Sequence, residues 1–526
     1  MSKELTPFSI SAPGFYGVNT QDSSLDMNPG FALEAVNCVI DQYGRIGSRK
    51  GWVKTCTTSI AANIECIGEL IGNDGTSYIL CAGGNKFYKQ TTTTLTELTY
   101  GGGGVAPVIT TNNWQFVALN NVGFFFQRGY DTLIFDPAVS TTTYRRVSEK
   151  AGYAAPGLGA TYIQCNAGLS AYGRIWMADI SADKNKVVFS DLLSGHVFTG
   201  GTSGYLDVGK VWPNGADEII ALAAHNGLLF IFGKRQIIIY EGAYDLATSG
   251  VFKLHDTINT VGCIARDSVQ NAGDDLLFLS NGGIYSLKRL IQEKANPLRD
   301  LSKNVRDHLR TDVDTDFIAE AAGTSYIKSC YSDINAFYLL SLPATGEIYC
   351  LDMRSPLEDG SARVTRWDSI APKSFCQARN RTLYMGMVNY LGEYSGYTDN
   401  TATYTMKYYT PHINFGGLSS SSILKKISLI TIGGSGQIIN VFYSADYSTN
   451  YNTGTITVPS HAESYYNSTS YYNNTSYYTN GLALDTVNLQ AGGTGKVLQF
   501  GFETTINGYQ VSFQKLDIFT KIGKML

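Results

Sequence analysis

The sequence has few charged residues and no excess of positive charge. Charged side chains make up 16% of the 526 residues, and 44 Asp and Glu residues against 40 Lys and Arg residues give a net charge of −4. Sequence-independent binding to nucleic acid depends on a basic surface that neutralises phosphates. The composition therefore argues against a dedicated nucleic-acid binder, although a conduit through which DNA slides remains compatible with it.

Cysteine pairs and long apolar runs are also missing. The nine cysteines are odd in number, show no C-x-x-C spacing and end at Cys376, a pattern typical of reduced thiols rather than of disulfides or a zinc site. The most apolar stretch, residues 219–232, is interrupted at His225 and Asn226, well short of the roughly 18 residues that span a bilayer. The N-terminus lacks the apolar core of a secretory signal. We expect a protein made in a reducing cytoplasm, with no membrane segment of its own.

Motifs for metal or phosphate chemistry are absent from the sequence. The six histidines lie far apart and form no H-E-x-x-H motif. Residues 492–497 match a phosphate-binding loop poorly, because valine replaces the metal-binding hydroxyl residue, and we expect a hairpin turn there. Asp312, Asp314 and Asp316 start like a calcium loop but lack its glycine, so we expect a solvated acidic turn. We predict no metal, no cofactor and no enzymatic activity; a hydrolase whose carboxylates meet only in the fold is the minor alternative.

Short apolar runs separated by turns are what the sequence has in abundance. It contains 55 glycines and 12% aromatic residues, and Asn-Asn, Asn-Gly or Gly-Gly pairs join neighbouring runs near Asn120, Asn226 and Asn281. Such pairs suit the positive φ angles of hairpin turns. The units begin near residues 64, 113, 165, 219, 261, 324 and 372, as expected for four-stranded propeller blades. We predict an all-β chain with a β-propeller of about seven divergent blades over residues 61–400, a tandem of β-sandwiches being the alternative.

The pattern changes after Thr401 to longer alternating strands, which predict a C-terminal β-sandwich over residues 401–526. A polar insertion at residues 461–480 repeats a Tyr-Tyr pair at regular spacing. We predict that it projects as a hairpin that narrows an exit or contacts a partner, a disordered surface loop being the alternative. The tyrosines predicted to make this contact are Tyr465, Tyr466, Tyr471, Tyr472, Tyr477 and Tyr478.

One amphipathic helix is predicted over residues 297–311, with Pro297 in its first turn. Its apolar stripe consists of Leu298, Leu301, Val305 and Leu309. Four cations recur on an adjacent face at helical spacing: Arg299, Lys303, Arg306 and Arg310. We predict that this cationic stripe contacts DNA or an acidic neighbouring subunit. The alternative is a solvated face partly paired with Asp300 and Asp307.

The two ends of the chain carry the most specific signal. The N-terminal region contains GVNT at 17–20, MNPGFA at 27–32, AVNCVID at 35–41 and GRIGSRKGW at 44–52. The C-terminal region contains YYTPHINFG at 408–416, KKI at 425–427, FQKLDI at 513–518 and KIG at 521–523. These stretches resemble tail nozzle (tail tubular) proteins of short-tailed, podovirus-like bacteriophages. The likeness extends more weakly through the region between, and the chain departs from the larger members in its short length and its Tyr-rich insertion.

A hairpin is predicted within the N-terminal motif. Val36, Cys38 and Ile40 alternate on one strand face, residues 41–44 turn, and residues 45–49 return. We therefore predict that residues 1–60 form an N-terminal extension whose hairpin supplies a closing strand to the propeller.

The resemblance implies a structural virion protein. Its copies would form a homohexameric ring below the portal and the adaptor (head–tail connector) protein, contact tail fibres or spikes, and retain and conduct genomic DNA in the lumen. Its location would be the tail of the virion, after synthesis in the host cytoplasm. A near-neutral lumen suits this role because it does not trap phosphate. The alternative function is a carbohydrate-binding tail adhesin or receptor-binding protein that uses the tyrosines of the insertion as stacking platforms.

Overall fold

The computed structural model describes residues 5, 7–158, 163–273, 275–287, 300–417, 420–460 and 483–525. Strands dominate these residues, so the prediction of an all-β chain is confirmed. Helical structure among them comprises the α-helix Arg306–Ala321 and the short 3-10 helices Val147–Glu149, Arg266–Ser268 and Lys303–Val305. This balance reflects the sequence, in which β-branched and aromatic runs alternate with turn residues.

Seven groups of antiparallel strands, called here the first to the seventh sheet, follow one another along the chain. The first two join through the parallel pair Thr94–Tyr100 and Thr143–Arg146 into one eight-stranded sheet, and the sixth is part of a larger sheet. The first sheet contains Ile64–Ile71, Ser77–Gly83, Lys86–Thr91 and Thr94–Tyr100, and the second contains Gln115–Leu119, Val122–Phe126, Leu133–Phe135 and Thr143–Arg146. The third contains Cys165–Ala171, Arg174–Ile180, Lys186–Phe189 and Gly204–Asp207, and the fourth contains Ile219–His225, Leu228–Gly233, Ile237–Glu241 and Lys253–Ile258. The fifth contains Gln270–Asn271, Leu276–Ser280 and Gly283–Ser286, the sixth contains Lys328–Ser332, Phe337–Leu342, Glu347–Asp352 and Arg363–Trp367, and the seventh contains Ser374–Gln377, Leu383–Gly386 and Leu391–Tyr394.

The predicted hairpins are present in these sheets. Asn120 and Asn121, with φ angles of 47° and 60°, connect the first two strands of the second sheet. Asn226 and Gly227, with φ angles of 48° and 78°, make the same connection in the fourth. Both central residues of a type I′ turn need positive φ, which is why asparagine and glycine mark these positions.

Contacts between inner strands close the order of the sheets on itself. The first strand of each sheet contacts that of the next, except that the fourth sheet contacts the fifth through the 3-10 helix Arg266–Ser268. The first strand of the seventh sheet in turn contacts Ile64–Ile71 of the first. Apolar clusters fill the spaces between neighbours, as where Phe87, Trp114 and Phe125 join the first and second sheets.

The N-terminal segment crosses between this ring of sheets and the C-terminal region. Trp52–Lys54 pairs with Leu391–Tyr394 and is thus the fourth strand of the seventh sheet. The predicted hairpin, Cys38–Ile40 with Ile46–Ser48, instead pairs with the C-terminal strand Val511–Met525. The closing strand therefore follows the hairpin rather than belonging to it.

Two further sheets contain the long strands predicted after Thr401. One consists of Pro7–Ser11, Cys38–Ile40, Ile46–Ser48, Ser420–Gly433, Leu484–Gly495 and Val511–Met525. The other consists of Glu34–Val36, Tyr404–Tyr409, Ile413–Asn414, Ile438–Ala445, Asn452–Thr457 and Val497–Ile506, and it continues into the sixth sheet, next to the short strands Gly17–Val18 and Phe31–Ala32. Both contribute to one core that includes Ile427, Ile518 and Phe500. The hairpin turn predicted at residues 492–497 is wrong, because residues 492–495 belong to the strand Leu484–Gly495 and Val497 begins a strand of the other sheet.

The helix lies further along the chain than predicted. It spans Arg306–Ala321 instead of residues 297–311, so the acidic residues 312–316 are helical, and the predicted solvated turn is wrong. Asp316 is buried and accepts hydrogen bonds from the backbone N–H groups of Ala344 (2.8 Å) and Thr345 (3.1 Å). These contacts with the sixth sheet compensate for the modest helix propensity of aspartate and threonine.

A fully buried arginine joins the N-terminal segment to both regions. Arg49 donates from Nη1 and Nη2 to the two carboxylate oxygens of Asp399 (2.8 and 2.7 Å) and from Nε to Asn37 Oδ1 (2.9 Å). Its guanidinium also lies 4.0 Å from the ring centre of Tyr404. Because a buried charge must be paired, these partners fix the position of the segment.

We predict that Arg49→Ala lowers the free energy of unfolding by about 3–5 kcal/mol, because it leaves the Asp399 carboxylate buried without its partner. Thermal and urea unfolding of the full chain measures the loss. The matched control is Lys86→Ala, which removes an exposed ion pair with Glu97 and should leave the melting temperature unchanged. Equal stability of the Arg49 variant and wild type would contradict the structural role.

Candidate functional site

The structure places the described members of the predicted cationic stripe in different settings. Arg299 lies outside the described residues. Lys303 is in the 3-10 helix that precedes the α-helix, and its Nζ lies 2.9 Å from Asp359. Arg306 and Arg310 lie in the α-helix itself. The three described cations therefore do not share one face of a single helix.

Arg306 is tied to a buried carboxylate. Its Nη2 lies 2.7 Å from Asp300 Oδ2, and the Asp300 side chain is 0% exposed. Burial raises the pKa of Asp300, and the Arg306 charge offsets this only in part. Arg306 thus stabilises the fold, whereas Lys303, with its ion pair to Asp359, and Arg310 are exposed.

The predicted tyrosine contact cannot be placed in the fold. Tyr465, Tyr466, Tyr471, Tyr472, Tyr477 and Tyr478 lie outside the described residues. The chain enters this segment after Asn452–Thr457 and resumes with Leu484–Gly495, one strand from each C-terminal sheet. The prediction that it contacts a partner or narrows an exit stays a prediction.

A polar cluster lies where the inner strands of the ring of sheets converge. We call it the axial cluster; it comprises Asn113, Asn166, Arg266, Asp267 and Lys328. Arg266 Nη2 donates to the backbone carbonyl of Asn113 (3.0 Å) and to its Oδ1 (2.9 Å), and Nη1 donates to the corresponding oxygens of Asn166 (both 3.0 Å). Arg266 immediately precedes the fifth sheet, whereas Asn113 and Asn166 belong to the inner edges of the second and third. One side chain therefore bridges opposite sides of the ring.

Asp267 balances the positive charges of this cluster. Its Oδ2 lies 2.7 Å from Arg266 Nη2 and 2.5 Å from Lys328 Nζ. Burial alone would raise the pKa of Asp267, but these two cations outweigh it and hold the pKa well below its ordinary value. Glu320, from the end of the α-helix, also faces this charge, and burial raises its pKa. Asp267 is thus an ionised structural anion with its charge already compensated.

Sequence reasoning missed the axial cluster. Lys328 Nζ lies 3.2 Å from Asn113 Oδ1, although 215 residues separate them in sequence. No local motif connects such positions, and only the closure of the sheets brings them together. The available signal was the presence of polar residues, Asn113, Asn166 and Arg266, in or just before the first strands of three sheets, a pattern that becomes meaningful only once the sheet order is known.

The described residues contain no group of three or more His, Cys, Asp or Glu side chains arranged to hold a metal ion. Within the same part of the chain, no helix is long and apolar enough to cross a membrane. All nine cysteines are unpaired thiols, eight of them buried. Burial raises the pKa of Cys263 to about 12, so this thiol is not an activated nucleophile.

Comparisons with known proteins give no family. No family model and no curated protein match the chain. The extracellular domain of a hybrid two-component system from B. thetaiotaomicron overlaps with a TM-score of 0.40 at 9% identity, over 78% of this chain and 45% of that one. PorZ, a surface component of the type-IX secretion system of Porphyromonas gingivalis, overlaps with a TM-score of 0.35 at 11% identity, over 70% of this chain and 44% of PorZ. This chain thus spans less than half the length of either, and no function is transferred from them.

We predict that acid weakens the axial cluster through Asp267. A carboxyl whose folded pKa is lowered contributes stability above its unfolded pKa of about 3.9 and loses it as pH falls toward the folded value. Asp267→Asn should therefore destabilise the protein most between pH 5 and 7, by about 3–5 kcal/mol, because Arg266 and Lys328 stay buried without their anion. Below about pH 4 the difference between variant and wild type should shrink.

Urea unfolding from pH 3 to 7 measures this difference. Asp333→Asn, which changes an exposed aspartate in a turn of the sixth sheet, is the control and should follow wild type throughout. A destabilisation by Asp267→Asn that stays constant down to pH 3 would contradict the proposed charge balance.

Proposed function

We propose that this chain is a structural protein of a short-tailed bacteriophage tail, a nozzle subunit whose copies form a ring that extends the DNA channel. The observation that supports it most directly is the convergence of the two stretches that carry the resemblance. Ile46 and Gly47 pair with Phe513 and Ser512, and Ala35 pairs with Tyr408. The motifs at the two chain ends thus build common sheets, as expected if they are parts of one functional unit.

We further propose that the seven sheets are the blades of a β-propeller and that the C-terminal strands form a β-sandwich beside it. Supporting this, the inner strands contact one another in a closed order and a strand from the N-terminal segment completes the last sheet. The strand Trp52–Lys54 comes just before the first sheet in the sequence and pairs with the last sheet, so hydrogen bonds between strands close the ring. The partners proposed for this subunit are identical copies, the adaptor, and tail fibres or spikes.

The axial cluster bears on where DNA passes. Arg266 bridges the fifth sheet to the second and third across the ring centre, and Lys328 joins it from the sixth. A duplex cannot pass through a centre that side chains span. The channel in this proposal therefore lies between copies of the chain, and each ring of sheets is part of its wall.

The charges of the axial cluster favour a structural role for that cluster over a catalytic one. Asp267, the carboxylate of the axial cluster, is engaged by two cations. General acid–base chemistry needs a carboxyl whose pKa lies near the working pH, and that of Asp267 is lowered. Asp267 therefore supports the fold and is not poised to act as a general acid or base.

Electron microscopy of the parent particle tests the proposal. We expect antibody against the purified chain to label a six-fold tube below the portal in negatively stained virions. The free subunit is expected to be monomeric until an adaptor templates the ring, so its solution mass does not decide the question. Absence of the protein from washed virions would overturn the assignment.

The exposed cations supply a second prediction. Lys303→Gln combined with Arg310→Gln should weaken ring assembly or DNA retention in particles without changing the melting temperature, because exposed charges contribute little to stability. Arg306→Gln is the contrasting variant and should destabilise the subunit itself, because it leaves Asp300 buried without its cation. Normal assembly and DNA retention by the double variant would show that Lys303 and Arg310 form a solvated face only.

A further inference from the structure

A polar cavity of about 380 Å³ opens between the turns of the first three sheets, away from the axial cluster. We call it the turn cavity. Its wall includes the carboxamides of Asn73, Asn120 and Asn121, the imidazole of His196, the ammonium of Lys150 and the ring of Tyr78. A volume of this size suits a ligand of one or two sugar rings.

The side chains around the turn cavity are held in place, and some of their polar atoms remain free. Asn121 Nδ2 donates to Asn73 Oδ1, which leaves the Nδ2 of Asn73 and the Oδ1 of Asn121 without a partner among the described residues. Asn120 Nδ2 donates to the carbonyl of Leu193 (3.2 Å). Leu193 has a φ of 54° and is 60% exposed. A bulky residue in this conformation is strained, and such strain concentrates at binding sites.

The charges of the cavity argue against an anionic ligand. Lys150 Nζ bonds to Asp136 Oδ2, and Arg145 Nη2 lies 3.5 Å from the same oxygen, so the buried Asp136 is already neutralised. Lys150 is the one cation among the described residues of the wall, and its charge is balanced. A phosphate would find no uncompensated positive charge and would face the carboxylate of Asp74, which accepts hydrogen bonds from the N–H (3.0 Å) and hydroxyl (2.7 Å) of Thr76 and can also accept from a ligand hydroxyl.

A neutral polyol matches the groups that remain. The amide groups of Asn73 and Asn121 supply a donor and an acceptor. Burial, and then Lys150, lower the pKa of His196, so its ring is neutral near pH 7. Its Nδ1 lies 3.4 Å from Ser194 Oγ and the ring also bonds to the Ala151 backbone, so a ligand hydroxyl would share these hydrogen bonds with the protein. Tyr78 and Val122 give the apolar surface that a sugar ring needs on its C–H face.

We propose that the turn cavity is a binding site for a neutral saccharide, either a free sugar or the end of a surface glycan. This site is independent of the nozzle proposal, because it uses none of the ring contacts or exposed cations on which that proposal depends. Asn73, Asn121 and His196 bind the hydroxyl groups, and Tyr78 packs against the ring.

Calorimetric titration of the full chain tests the site with glucose, galactose, mannose, rhamnose, N-acetylglucosamine and lactose, and with inorganic phosphate as the charged probe. We expect at least one sugar to bind with a Kd of about 1 mM or lower. Asn121→Gly keeps the positive φ of the turn and removes the amide, so it should weaken binding about tenfold. Asn226→Gly, the same kind of change in the equivalent turn of the fourth sheet, should bind as wild type does.

His196→Gln gives a second, independent variant with the same expected loss should Asn121→Gly fail to fold. Retention of the protein on beads that carry bacterial outer polysaccharide would identify a surface glycan as the source, and calorimetric binding without retention a free sugar. The proposal is overturned if none of the sugars binds, if phosphate binds more tightly than all of them, or if a folded variant keeps the wild-type affinity.

Discussion

The buried guanidinium of Arg49 is the interaction on which the assembly of this chain depends. Its side chain is fully buried, so its donors must be satisfied by protein groups. They reach Asn37 in the N-terminal segment, Ser369 between the sixth and seventh sheets, and Asp399 beyond the seventh. Asn37 links Arg49 to further parts of the chain, because its Nδ2 donates to Asp368 Oδ1 (2.6 Å) and to the carbonyl of Thr405 (2.8 Å). Ring and C-terminal sheets therefore meet at a joint that is complete only when all of its partners are in place.

Arg266 joins separate parts of the chain inside the ring of sheets, as Arg49 does between the ring and the C-terminal sheets. Arginine suits both positions better than lysine, because its planar fork presents five donors in fixed directions. The chain uses many of its few charges in this way: Asp136, Asp300, Asp316 and Lys328 are buried and paired or hydrogen-bonded as well. These buried charges are neutralised inside the fold and add little to the charge of the surface. The sequence thus has few charged residues, and several of them form strong ion pairs or hydrogen bonds inside the fold.

Local signals in the sequence predicted the hairpins, the places where the sheets begin and the longer strands near the C-terminus. They succeeded because the φ requirement of a turn at Asn120 or Asn226 is fulfilled within a few residues. They failed where the outcome depends on a distant partner. Trp52–Lys54 becomes a strand of the seventh sheet only because Leu391–Tyr394 presents an open edge, and residues 312–316 are helical because the helix packs against the sixth sheet. The axial cluster was beyond prediction for the same reason.

The cations near the α-helix differ in the same way, since some are paired inside the fold and others are exposed. Arg306 is paired with Asp300, and Arg266 and Lys328 with Asp267. Lys303, although it lies 2.9 Å from Asp359, and Arg310 are exposed to solvent. If copies of the chain surround DNA, such sparse cations give each copy only weak attraction for phosphate, and counterion screening weakens it further. A wall of this kind can guide a duplex without holding it, whereas a dense basic lining would bind it. The burial of charge that stabilises the subunit and the weak surface attraction that a conduit needs are then satisfied by the same distribution of residues.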